Sequence, residues 1–161
     1  MTMTAENEQK RDWLLRYRWA LKRRNEAADE LRELLHVGAR ALDYDQQPGG
    51  SGAPHGLETF AVRAEKYYDA EKAAAEYCWK VRAEINAALA ALNNEGYAQV
   101  LTYRYLVHTA SPYERANQLY PTVPLTWQEI AERCYLSFDR VTHLHGEAML
   151  ALSIPTNCDK Q

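Results

Sequence analysis

The chain has 161 residues, of which 47% are hydrophobic and 25% charged, a composition typical of one or two small globular domains. Three cysteines without paired spacing argue against a disulfide framework, and no segment approaches the roughly 20 apolar residues of a membrane span, so we expect a cytoplasmic protein with no membrane partner. Few glycines and prolines predict an all-α fold, whereas the net charge of -3 is unlike that of most nucleic-acid-binding proteins.

The first predicted element is a long helix from about Glu8 to Leu42, which would be roughly 50 Å long. Apolar residues recur in steps of three and four, as in a heptad seam, with Arg24 and Gly38 as flawed positions. The seam consists of Leu14, Tyr17, Leu21, Arg24, Ala28, Leu31, Leu35, Gly38 and Leu42. A basic cluster on the same helix predicts either a solvated face or an arm that contacts phosphate or protein; it comprises Lys10, Arg11, Arg16, Arg18, Lys22, Arg23 and Arg24.

A second long helix follows the Gly- and Pro-rich segment 43–57, which predicts a flexible loop. Its seam consists of Phe60, Ala64, Tyr67, Glu71, Ala74, Cys78, Val81, Ile85, Ala88 and Leu92. Two such helices predict an antiparallel coiled-coil hairpin over residues 8–94. Four aromatic residues lie off the seams, so we expect another helix or a second subunit to cover them; they are Trp19, Tyr68, Tyr77 and Trp79.

Residues 97–153 form the second predicted domain, which begins with a buried helix over 97–107. Ser111 and Glu114 make a capping box for a short helix within segment 108–125. Thr126 and Glu129 make another, which opens a helix to about Cys134. The last predicted helix is capped at its start by Ser137, and its buried face carries Val141, Leu144, Ala148 and Leu152.

The final two helices have the spacing of a helix-turn-helix, with a turn formed by residues 135–137. Ile130, Ala131, Val141 and Leu144 would face inward, and we expect Leu136 to fill the turn. The residues left pointing outward are Phe138, Asp139, Arg140, Thr142, His143 and Glu147. The pattern alone leaves two interpretations open, a DNA-reading hairpin and an ordinary hairpin that packs a core.

The segment 126-TWQEIAERCYLSFDRVTHLHGEAMLAL-152 resembles region 4 of the sigma-70 type transcription factors. The matching positions are Glu129, Ile130, Ala131, Ser137, Val141, Leu144, Ala148, Met149 and Leu152. The whole chain more narrowly resembles a prophage protein family of unknown function related to the ArpU and RinA late-gene transcriptional regulators. That resemblance rests on two long N-terminal helices and on Arg104, Tyr105, Leu106, Thr126, Trp127, Ile130, Ala131, Val141, Leu144, His145 and Ala148.

The resemblance implies a sequence-specific transcriptional regulator of prophage genes that acts in the cytoplasm of a bacterial host cell and is not an enzyme. Its partners would be double-stranded DNA, RNA polymerase and a second copy bound through the coiled coil. Ser137 and Arg133 would contact phosphates. The residues expected to face base edges are Phe138, Asp139, Arg140, Thr142 and His143. We expect no cofactor and no metal, because His143 and His145 point about 200° apart around a helix.

Two features depart from the resembled families. Segment 108–125 is an insertion between the "R-Y-L" and "T-W" motifs, and it could shield or extend the binding face. From Tyr97 onward the chain carries five basic and six acidic residues, a net of -1, which predicts weak DNA binding by one subunit. The alternatives are therefore a DNA-packaging oligomer of the small-terminase kind and a protein-interaction module without DNA binding.

Overall fold

The computed structural model describes residues 4–45 and 55–155, with side chains for 4–40 and 58–155. Helix α1 spans Ala5–Asp45 and helix α2 spans His55–Ala90, so the prediction of two long helices is confirmed. The predicted loop 43–57 is too long at both ends, since residues 43–45 and 55–57 are helical. The first helix breaker of this segment is Pro48, so residues 43–45 can continue α1. The predicted flexibility of residues 46–54 lies outside the described residues.

Helices α1 and α2 pack against each other in opposite directions. Arg16 pairs with Glu84 at 2.9 Å, whereas Gly38 lies against Phe60. Leu21 and Val81 are buried in the contact, as the seams predict. One detail of the seams is wrong, since Leu35 is 36% exposed. Ala88 of the second seam packs partly buried against the core, and its neighbour Leu89, which the seam did not name, is buried as well.

Steric packing explains why the first seam contains a glycine. A Cβ atom at position 38 would lie 1.9 Å from Cε2 of Phe60 and 2.3 Å from its Cζ. Because heavy atoms cannot approach so closely, the aromatic ring occupies the space that any other side chain would need. Gly38 therefore complements Phe60 and is not a defect of the helix.

The second half of the chain begins with helix α3, Glu95–Leu101. The side chain of Asn94 caps it by accepting a hydrogen bond from the backbone N–H of Tyr97 at 3.1 Å. The prediction of one regular helix over 97–107 is wrong, because Thr102–Leu106 forms a π-helical turn. Tyr105 and Leu106 are buried in this turn, so the change of helical pitch keeps large side chains in the core.

The inserted segment is closed at its base by a small antiparallel sheet. Strand β1, His108–Thr109, pairs with strand β2, Val123–Pro124, and between them lies the short helix α4, Pro112–Ala116. The capping box of α4 is confirmed, because Ser111 accepts a hydrogen bond from the Glu114 N–H and the Glu114 carboxylate accepts one from the Ser111 N–H. The fold is otherwise helical, as predicted, but these two strands were not predicted.

Helix α5 spans Trp127–Cys134 and helix α6 spans Phe138–Ala151. Both predicted caps are confirmed: Thr126 and Glu129 form the capping box of α5, and Ser137 caps α6 by accepting from the Arg140 N–H. Each cap satisfies a backbone donor that the first turn of a helix leaves without a partner. The turn between the helices therefore begins and ends at residues that local chemistry specifies.

Two hydrophobic clusters meet along α6. The first cluster joins residues of α1, α2, α3 and the π-helical turn to Ala148, Met149 and Leu152. The second cluster consists of Val100, Leu125, Ile130, Ala131, Val141 and Leu144. Because α6 contributes to both clusters, its orientation is set by the long helices as well as by α5. Within the described residues, no helix has the length and apolar character that crossing a membrane requires.

The end of α6 is held by a buried lysine of α1. The ammonium group of Lys10 donates to the carbonyl oxygens of Met149 at 3.1 Å and Leu150 at 3.4 Å. The same group forms an ion pair with Glu6 at 2.9 Å. A cation at the carboxyl end of a helix satisfies free carbonyl groups and is favoured by the helix dipole. Lys10 therefore belongs to the framework and not to a solvated basic face.

Candidate nucleic-acid interface

The inserted segment lies along α1. Its anchors are a row of polar side chains on that helix, at positions 18, 25, 29 and 32. Asn25 is the central anchor: its amide group donates to the Tyr120 carbonyl at 2.9 Å and accepts from the Tyr120 N–H at 3.0 Å. Arg18 donates to the carbonyl of Thr122 at 2.9 Å. These bonds place the insertion on the long helix and leave the start of α6 exposed.

A carboxylate inside the insertion holds its shape. Glu114 is buried, and its oxygens accept from the Ser111 N–H, from the Thr122 hydroxyl at 2.6 Å and from the Thr122 N–H at 3.2 Å. Burial by itself raises the pKa of Glu114, but these hydrogen bonds to the ionised form together hold that pKa below its usual value. The insertion is thus a compact lobe with its own internal bonding.

The turn between α5 and α6 is tight and specifically bonded. Tyr135 adopts a left-handed conformation with φ of 55°. The N–H of Leu136 donates to the Ala131 carbonyl at 3.0 Å, and that of Tyr135 donates to the Glu132 carbonyl at 3.3 Å. This is the Schellman pattern, in which a residue with positive φ ends the helix. It redirects the chain directly into the Ser137 cap.

The prediction that Leu136 fills the turn is wrong, because this side chain is 39% exposed. Leu125, which precedes the Thr126 cap of α5, is fully buried and packs with Ile130 and Val141. Leu125 is the last residue of the insertion, so the insertion contributes a side chain to the core shared by α5 and α6. The inward positions of Ile130, Ala131, Val141 and Leu144 are confirmed.

The predicted contact residues gather around the amino-terminal end of α6. Exposed side chains there are Arg133, Ser137, Phe138, Asp139, Arg140 and His143. Thr142 is half-buried, and its hydroxyl donates to the Asp139 carbonyl at 3.0 Å. The guanidinium carbon of Arg133 lies 5.9 Å from the centre of the Tyr103 ring. Arg140 is the cation placed in the first turn of α6, three residues after the cap.

A carboxylate borders this surface on one side. Glu147 accepts from the Tyr97 hydroxyl at 3.3 Å, and its other oxygen lies 3.1 Å from Nε2 of His143. The imidazole ring is therefore oriented by a residue one turn further along α6. Any contact from His143 to a ligand would use the remaining ring nitrogen.

Tyr135 is a prominent surface feature that the sequence pattern did not single out. Its side chain is 95% exposed, although its backbone conformation is one that favours glycine. With Leu136 and Phe138 it makes three large apolar side chains around the turn. The sequence offered one indication of this feature. Tyr135 is a bulky residue directly after a helix, at a position where glycine is favoured.

Behind the surface, an aromatic group supports α5 and α6. Trp127 lies between the Arg104 guanidinium, 4.4 Å from its ring centre, and the His145 ring, 4.9 Å away. His145 also shares a hydrogen bond of 3.1 Å with the Tyr105 hydroxyl. Burial, with a contribution from Arg104, lowers the pKa of His145 to about 4. The predictions that Trp127 anchors the hairpin and that His145 is half-buried are confirmed.

Much of the basic cluster on α1 takes part in internal contacts. Lys10 caps α6, Arg16 pairs with Glu84, and Arg18 binds the insertion. Arg24 lies 3.9 Å from the centre of the Tyr120 ring. Lys22 and Arg23 remain on the exposed face. The cluster therefore offers fewer cations to a phosphate backbone than its sequence indicates.

No family model, curated protein or solved structure matches the chain. Across residues 4–45 and 55–155, no three side chains of histidine, cysteine, aspartate or glutamate come together in a way that could hold a metal ion. The exposed surface at the start of α6 combines a capped helix start with one first-turn arginine, an oriented histidine and three exposed apolar side chains.

Proposed function

We propose that this protein is a sequence-specific DNA-binding transcriptional regulator of prophage genes, acting without catalysis in the cytoplasm of a bacterial host. In this interpretation α1 and α2 are an antiparallel coiled-coil hairpin, and α5 and α6 are a sigma-region-4-like helix-turn-helix. The observation that carries the proposal is the exposed start of α6, where Phe138, Asp139, Arg140 and His143 remain on the surface while Val141 beneath them is fully buried.

The proposed interface places α6 in the major groove of double-stranded DNA. The first-turn N–H groups and the Ser137 hydroxyl would hold a phosphate, as helix N-termini do, and Arg133 would contact a second one. Arg140 would read a guanine edge, and Asp139 could accept from the amino group of cytosine. Phe138, Thr142 and His143 complete the base-facing set.

Affinity should be modest and sensitive to salt. The domain from Tyr97 onward has a net charge of -1, and Glu147 lies beside His143. About three to five phosphate contacts per subunit would give a log–log salt slope of roughly -3 to -5, at about -0.9 per contact. A slope near -10 for one subunit would contradict this interface and indicate a larger basic surface elsewhere.

A second copy of the chain is the partner proposed for the long helices. The aromatic side chains of Trp19 and Tyr77 are 52% and 43% exposed, and a groove of about 440 Å³ runs between α1 and α2. Its rim carries Arg23 and Glu30, which a two-fold axis could bring together between subunits. Sedimentation equilibrium tests this: a dimer is expected, and a monomer would contradict it. A ring of roughly eight or more subunits would favour the packaging oligomer.

The exposed apolar turn favours one alternative, a protein-interaction module. Tyr135, Leu136 and Phe138 could dock on RNA polymerase or on another protein without contact to bases. In that case the net negative charge of the domain would not weaken binding, because no DNA phosphate would be contacted. The two functions differ in whether Arg140 and His143 determine a preference between DNA sequences.

The deciding experiment is competition between cognate and scrambled duplexes, with the cognate site first located by footprinting near the protein's own gene. Arg140→Ala and His143→Ala should fold normally and lose preference for the cognate site, by about 1–3 kcal/mol for a lost bidentate contact. Arg115→Ala, on the exposed side of the insertion, is the matched control and should discriminate like the parent. If both α6 variants also discriminate like the parent, the interaction module replaces the regulator.

A further inference from the structure

A small cavity of about 100 Å³ lies between α1, α2 and the end of the inserted segment. Arg24 and Arg82 line it, together with Tyr17, Cys78 and Tyr120. Its size is well below the roughly 300–1,000 Å³ of pockets for drug-sized molecules, and it corresponds to a few water molecules. Any ligand that fits must therefore be a small ion or a small polar group.

Both guanidinium groups are positioned by aromatic rings. The Arg24 guanidinium carbon lies 3.9 Å from the centre of the Tyr120 ring. Arg82 donates to the Tyr17 hydroxyl at 3.3 Å, and its guanidinium carbon lies 5.6 Å from the centre of the same ring. Both arginines are thus preorganised at the edge of one cavity.

Neither of these two arginines forms an ion pair with a carboxylate in the described part of the chain. Cys78 does not supply the missing negative charge, because burial raises the pKa of its thiol more than Arg24 and Arg82 lower it. Burial likewise raises the pKa of Tyr17, so its hydroxyl keeps a proton that it can donate. The cavity therefore combines two positive charges with a neutral donor.

Arg24 occupies a position where the heptad pattern calls for an apolar residue. Arg24 is partly buried and Arg82 is exposed, and the two like charges at the edge of one cavity repel each other. An anion between them would remove this repulsion and would accept charge-assisted hydrogen bonds from both planar groups. A charged residue at a seam position is explained if the site binds such an anion.

We propose that this cavity is a binding site for a small oxyanion of the phosphate class, held between Arg24 and Arg82 with the Tyr17 hydroxyl as a further donor. The site is separate from the α6 interface and does not depend on DNA binding. Because Arg24 packs on Tyr120, the bound anion would also strengthen the attachment of the inserted segment to α1. Free phosphate-class ions would then regulate how firmly this segment is held.

The test is calorimetric titration of the full chain with inorganic phosphate at constant ionic strength maintained with chloride. Saturable binding to one site is expected in the parent, and Arg82→Met should weaken it at least about tenfold, since a charge-assisted bond is lost. Arg82 is exposed, so this variant should keep its fold, which circular dichroism checks. Arg63→Met is the matched control, because Arg63 is an exposed arginine of the same helix, α2, and lies outside this cavity.

A second measurement follows the insertion itself. Phosphate should slow proteolysis within residues 108–125 in the parent and in Arg63→Met, but not in Arg82→Met. The absence of saturable phosphate binding by the parent would overturn the proposal. An equal loss of binding in Arg63→Met and Arg82→Met would also overturn it, since that result indicates diffuse attraction to a basic surface.

Discussion

Replacement of Gly38 by alanine should destabilise the protein, against the usual direction for a glycine within a helix. Helix propensity alone favours Gly→Ala by about 1 kcal/mol. The new Cβ, however, would lie 1.9 Å from Cε2, 2.3 Å from Cζ and 2.8 Å from Cδ2 of Phe60, so the ring must leave its position. Phe60 is half-buried, and losing about half of a buried phenylalanine's roughly 1.5–3 kcal/mol, with added strain, outweighs the gain. We expect a net loss of about 0.5–2 kcal/mol.

A double-mutant cycle measured by urea denaturation isolates this contact. In a Phe60→Ala background the obstacle is absent, so Gly38→Ala should become stabilising by about 1 kcal/mol. The sign reversal is the diagnostic result, because a general effect on α1 would be the same in both backgrounds. If Gly38→Ala stabilises the parent as much as it stabilises Phe60→Ala, the packing of Phe60 on Gly38 is wrong.

Three further predictions concern the framework. Leu21→Ala should lower the free energy of unfolding by about 2–5 kcal/mol, measured by thermal or urea unfolding. Leu35→Ala, at an exposed seam position, should lower it by well under about 1 kcal/mol, and equal effects would contradict the seam. Asn25→Ala leaves the Tyr120 N–H and carbonyl without their partner, so the free energy of unfolding should fall by about 1–3 kcal/mol and proteolysis of the insertion should become faster. Unchanged proteolysis would show that other contacts hold the insertion. His145 has a folded-state pKa of about 4, below the ordinary histidine value of 6.5, so the folded state binds fewer protons than the unfolded state between these values. The unfolding free energy should therefore fall as pH decreases from 6.5 to 4, and His145→Gln should reduce that slope; an identical slope in both proteins would refute the assignment.

Features that depend on a few neighbouring residues were predicted correctly. The capping boxes at Ser111 and Thr126 and the cap at Ser137 each need only a side chain and a backbone N–H three residues later. The buried face of α6 follows from helical periodicity for the same reason. The residues proposed to contact DNA were predicted from the same periodicity, because they are the outward-facing positions of α6 once Val141 and Leu144 face inward.

Features that depend on residues far apart in the chain could not be predicted in this way. Leu136 is exposed, whereas Leu125 is fully buried with Ile130 and Val141, because burial here depends on where the insertion ends in space. The π-helical turn and the two short strands arise where the chain leaves α3 for the insertion, and no periodic pattern indicates them. Leu35 fits the heptad spacing but lies where it remains exposed.

The amino-acid sequence by itself determined the helical class, the two long helices, the caps and the exposed start of α6, because helix periodicity and capping act over a few residues. Only the tertiary structure decided what the polar side of α1 does. Arg18, Asn25 and Arg32 have the spacing of a solvated helix face, yet they bind partners 85 to 104 positions away in the insertion. Such bonds leave no local signature, since the partner is specified by how the helices pack and not by any neighbour along the chain. The same holds for Arg24 and Gly38, whose meaning depends on Tyr120 and Phe60 across the fold.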